Sequence, residues 1–65
     1  MPPFFVEYYC PRQSSNWQRW GAGLLSRAGK AFLDFGAAQS MADSLIWQYH
    51  AARVVDRAGV PLYQV

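Results

Sequence analysis

The tripeptide Arg-Ala-Gly is written twice in this chain, in LLSRAGKAFLDF at 24–35 and again in RVVDRAGVPLYQV at 53–65. Each time an apolar pair and a small polar residue precede it and an apolar run follows. In the second copy the Asp56 side chain can accept hydrogen bonds from the turn backbone, and Gly59 can adopt the left-handed conformation. Those are the needs of a type I turn closing a hairpin with a bulge. Ser26 and Gly29 stand at the same two offsets in the first copy. Both phrases therefore read as hairpin tips, and the phrase recurs because the same turn is needed twice.

The rest of the chain fits around those tips. FFVEYYC at 4–10 is aromatic and β-branched, with Pro2 and Pro3 before it and Pro11 after it, so it reads as a strand bracketed by residues that cannot donate to a ladder. Alternation puts Phe4, Val6, Tyr8 and Cys10 on one face and Phe5, Glu7 and Tyr9 on the other. PRQSSN at 11–16 is turn chemistry. AAQSMADSLIWQYH predicts a helix over 37–50, with Ala38, Met41, Ala42, Leu45, Ile46 and Tyr49 on one side and Asp34 or Gly36 at its start. A competing periodicity at 24, 28, 31, 35, 38, 42, 45 and 49 would make one helix of 22–50. That rod would be ~40 Å long at ~1.5 Å per residue, with two glycines inside it. The reading adopted is a single small α+β domain over 1–65. Its order is strand, strand, strand, helix, strand, strand, forming an antiparallel sheet with the helix across one face. Pro61 implies that the last strand lies at an edge or begins late.

Sixty-five residues bury a thin core, yet they include eleven aromatic side chains. A chain of this size hides only ~60% of its unfolded surface, so some rings are expected outside, where they favour a partner. Six basic against four acidic residues give a net charge of +2, too little for a purely electrostatic grip on nucleic acid. One cysteine, Cys10, excludes an internal disulfide and suits a reducing compartment. No apolar run approaches ~18 residues, and MPPFFVEYY lacks the basic start and cleavage site of a secretory signal, so a cytoplasmic protein is expected.

No catalytic set is visible. His50 and Cys10, the only histidine and thiol, lie far apart in sequence without the local context of a nucleophile pair. One of each falls short of a tetrahedral metal site, and the glycines form no phosphate-binding loop. The expectation is a protein that is no enzyme and needs no cofactor or metal.

Two segments stand out instead. On the expected helix Trp47 projects away from Leu45 and Ala38, toward Ser40, Asp43 and His50. Either another segment folds over it or it anchors a partner, since tryptophan is enriched among interface hot spots. In NWQRWG at 16–21 a strand would send Trp17 and Trp20 to opposite faces, with Arg19 between them. Such rings either cover the sheet face that the helix leaves open or, with Tyr8 and Tyr9 on the neighbouring strand and Arg12 and Arg19 nearby, stack the bases of a single strand of nucleic acid.

SLIWQYHAARVV at 44–55 resembles the small RNA polymerase inhibitors of T7-type phages, which also end a helix on Trp-Gln-Tyr and continue into a strand. DRAGVPLYQV departs from that pattern, so no functional residues are carried over. In size, and in having no catalytic set, the chain is also similar to anti-CRISPR proteins. The resemblance implies a phage or mobile-element inhibitor that occupies the surface of a host protein complex. The residues expected to bind the partner are Trp47, Asp43, His50, Trp17, Arg19 and Trp20. Two other readings stay open: a small single-stranded nucleic-acid-binding protein using Tyr8, Trp17, Arg19 and Trp20, and a homo-oligomeric structural subunit that buries its apolar surplus between copies.

Overall fold

A computed structural model describes residues 2–23 and 27–65. Four strands and one helix follow in the order β1 (Phe5–Tyr9), β2 (Gln18–Arg19), α1 (Phe35–Leu45), β3 (Ala51–Val55) and β4 (Pro61–Gln64). The strands form one antiparallel sheet in the order β2-β1-β3-β4. The helix lies across one face, so the molecule is a small α+β fold. Pro61 opens β4 at the sheet edge, where its missing N–H costs no ladder bond.

Alternation along β1 divides its side chains as the sequence implies. Val6 joins Phe32, Ala38, Ala42, Leu45, Ala52 and Val54 in the core between sheet and helix, with Phe4 and Tyr8 packed against it. Ala38 and Ala42 are fully buried, because the helix turns its small residues to the sheet and the aromatic rings close the margins. Phe4 meets Phe35 edge-on at 5.5 Å, and Tyr8 stacks on Tyr49 at 4.2 Å. Sheet plus helix makes a slab of 31 × 23 × 18 Å. A continuous helix over 22–50 would outrun its longest dimension, and the chain does not form one.

The strand expected just before the helix contracts to a single bridge. Phe32 and Phe4 exchange both backbone hydrogen bonds, at 2.7 and 2.8 Å. Two residues later the chain is committed to the helix, because the Asp34 carboxylate accepts from the Ala37 N–H at 2.9 Å as its N-cap. The helix also ends five residues before position 50, where the sequence placed its end. Gln48 and Tyr49 both donate to the Leu45 carbonyl, closing the last turn. His50 N–H then donates to the Tyr9 carbonyl at 2.9 Å and starts the run into β3.

The β3–β4 tip is the turn its sequence describes. Gly59 N–H donates to the Asp56 carbonyl, Asp56 N–H to the Val60 carbonyl, and Gly59 sits at φ +86°. The Asp56 carboxylate accepts from the N–H groups of both Ala58 and Val60 at 2.9 Å. In the first tip Gly29 is also left-handed, at φ +89°. Its counterpart of Asp56, Ser26, lies outside the described residues.

Candidate partner interface

The sheet face opposite the helix is organised around Glu7. Register places Arg19 of β2 and Arg53 of β3 directly across from it, on either side. One carboxylate oxygen accepts from Arg19 at 3.1 Å, and the other accepts from Arg53 Nη2 at 2.7 Å and Nε at 2.9 Å. With both arginines gathered onto one acid, this face keeps a surplus positive charge.

Each guanidinium also rests on an aromatic ring. Arg19 stands 4.4 Å over the Phe5 ring, and Arg53 stands 4.2 Å over the Trp17 ring. Arg19 reaches further to the Ala28 carbonyl at 3.3 Å, so residues 27–29 lie across that end of the face. At the other end Trp17 leans on Tyr9 at 5.6 Å, and the exposed His50 meets Tyr9 edge-on at 6.0 Å. Phe5 and Val55, paired across the strands on this face, are buried, whereas Tyr9 and Trp17 at its other end are half-buried and His50 is exposed.

The helix side carries a different feature. Trp47, in the turn after α1, is 87% exposed, and its neighbour Ile46 is 40% exposed. Leu33, ahead of the helix, is 78% exposed. Asp43 is exposed too, but it accepts the Tyr63 hydroxyl at 2.6 Å, tying α1 to β4. That bond pushes the Tyr63 phenol above its ordinary value, with desolvation and the carboxylate charge adding to it. Tyr8 is also raised, by burial first and then by Tyr49.

The six residues expected to meet a partner thus divide three ways. Trp17, Arg19 and His50 belong to the face opposite the helix. Trp47 and Asp43 belong to the helix layer, although Trp47 and His50 lie beyond the helix that was expected to carry them. Trp20 belongs to neither surface. It packs against the core with its ring 6.1 Å from Phe32, and Tyr8 is likewise on the core side. A surface joining Tyr8, Trp17, Arg19 and Trp20 therefore does not exist, because alternation sends Trp17 and Trp20 opposite ways.

Tyr9 was expected beside Trp17 and is found there, but the sequence reading missed Arg53, Glu7 and Leu33. A cross-strand match of opposite charges was available for Glu7 once Arg19 was placed on a neighbouring strand. Arg53 lies forty-six positions from Glu7, and nothing local signals that pairing. Leu33 was signalled by the adjacent Phe32, since only one of two successive residues can point inward there.

Among the described residues no group of three or more His, Cys, Asp or Glu is placed to hold a metal ion. No described helix is long and apolar enough to cross a membrane. Comparison with protein-family models, with curated proteins and with solved structures finds no match to this chain.

Proposed function

We propose that this chain is a non-catalytic protein-binding module, an inhibitor or adaptor of the phage or mobile-element kind that occupies the surface of a larger protein complex. The observation that carries the reading is Trp47, an indole 87% exposed on a chain with so little core to spare. An apolar ring of that size in water is a standing cost, which a partner's pocket relieves. A buried aromatic side chain covers ~150–250 Å², or about 4–6 kcal/mol at ~25 cal/mol per Å² before ordering costs. Ile46 beside it widens the apolar contact.

Trp47→Ala is expected to leave the fold intact, shifting the melting temperature by no more than about 4 °C, as a surface change of ~0.5 kcal/mol does in a domain this small. The same change should weaken binding at least about 30-fold, the effect of losing a hot spot worth ~2 kcal/mol. The experiment is affinity capture from host extract with wild type and Trp47→Ala side by side, followed by titration of the purified partner that differs. A large fall in melting temperature, or identical capture by both proteins, removes the reading.

A further inference from the structure

We infer that the open end of the sheet face opposite the helix binds single-stranded nucleic acid, with Tyr9, Trp17 and Arg53 as the stacking surface and Arg12 and Arg53 facing the phosphates. This surface is distinct from Trp47, and the inference stands on separate observations.

The carboxylates are unevenly placed. Of the four carboxylates, Asp34 caps the helix, Asp43 lies on the helix and Asp56 closes the β3–β4 turn. Only Glu7 stands on the opposite face, against Arg19 and Arg53. Arg12, exposed in the turn between β1 and β2, and exposed His50 flank the same end of the sheet. A phosphate backbone is the complement of such a face, and an acidic partner protein is the alternative the test must separate.

Stacking chemistry favours the nucleic acid. Arg53 lies 4.2 Å over Trp17, and Arg19 lies 4.4 Å over Phe5, while Glu7 grips both from within the sheet. Each guanidinium is thereby a held planar cation backed by a ring, and bases stack on guanidinium planes as they do on aromatic faces. Tyr9, Trp17 and His50 continue the ring surface past Arg53. Only unpaired bases can use it, because a duplex keeps its base faces against one another.

The test uses the full chain and a labelled thymidine oligonucleotide of about 12 residues, suited to the ~4–16 nucleotides that single-strand binding domains cover. Anisotropy should report saturable binding at ~50 mM salt that weakens about sevenfold by ~200 mM, as two neutralised phosphates require at ~0.7 counterions each. Amide and side-chain NMR shifts should concentrate on Tyr9, the Trp17 indole N–H, His50 and the Arg53 Nε–H, and leave the Trp47 indole unmoved. Arg53→Lys keeps the charge and removes the plane, so affinity should fall at least about fivefold with the salt slope unchanged. Should that variant not fold, the wild-type shift map and salt slope decide. Absence of binding at ~50 mM salt overturns the inference. So do shifts centred on Trp47, equal affinity for duplex DNA or polyglutamate, and wild-type affinity in a folded Arg53→Lys protein.

Discussion

Tyr63 and Asp43 hold the helix to the edge strand through one short contact, the phenol donating to the carboxylate at 2.6 Å. The neutral phenol is the form that makes this bond, so the folded state raises the Tyr63 pKa, chiefly through the hydrogen bond itself. Tyr8 is raised for another reason, its burial against the core. A group whose pKa is higher in the folded state contributes stability that is complete below its unfolded value, near ~10 for tyrosine. That contribution disappears as pH climbs through the folded value. Stability should therefore decline in the alkaline range above ~10 as these two phenols ionise. Phenolate absorbance followed against pH should show Tyr63 titrating late in the wild type and moving back toward the ordinary value in Asp43→Asn. An unchanged Tyr63 titration in that variant would show that the carboxylate is not its partner in solution.

The two Arg-Ala-Gly phrases form turns with the same glycine conformation in different surroundings. Gly59 has φ +86° with nothing within 4 Å of where a Cβ would stand. Gly29 has φ +89°, but there a Cβ would come within 2.5 Å of Arg19 Cγ and 2.9 Å of the Trp20 carbonyl oxygen. Gly59→Ala should cost only the left-handed backbone strain, about 1–2 kcal/mol. Gly29→Ala adds a collision with a side chain clamped between Glu7, Phe5 and Ala28, and should cost at least about 1 kcal/mol more. Chemical denaturation of the two variants measures the difference, and equal losses would mean that the loop over Arg19 yields freely. What the sequence made legible among the elements follows the range of the forces. Asp56, Gly59 and Asp34 act within four residues, so the second tip and the helix start were readable. The helix end was not, because Tyr49 keeps the helical spacing from Leu45 while distant groups, the Tyr8 ring and the Tyr9 carbonyl, draw the chain away.

For the whole molecule the limiting fact is a single thin apolar layer. Among the described residues nine hydrophobics are buried, seven of them between sheet and helix and Phe5 and Val55 on the opposite face, and Val6, Val54 and Val55 are the largest that are sealed completely. At ~0.05–0.15 kcal/mol per residue a chain this size has a total stability of only about 3–10 kcal/mol. Leu45, buried where the helix ends, supports the core beside Ala42 and Tyr49. Leu45→Ala should remove about 2–3 kcal/mol and lower the melting temperature by at least ~10 °C, read by thermal circular dichroism. A shift of only a few degrees would show that the helix end repacks. The surplus of rings over core volume was visible in composition alone, as was the opposed placement of Trp17 and Trp20. The grouping of the interface was not, since it depends on which strand lies beside which, and β3 comes to Glu7 from the far end of the chain.

The three indoles have been dealt to three different environments: Trp20 against the hydrophobic layer, Trp17 beneath a guanidinium, and Trp47 out in water. The protein thus carries its own set of optical reporters, one for the interior and one for each surface. Replacing two of the three with phenylalanine would leave an emission band that follows a single region, blue for the interior and red for the exposed turn. Loss of the core, occupation of the arginine face and capture at the helix end would then each be followed in its own single-tryptophan variant.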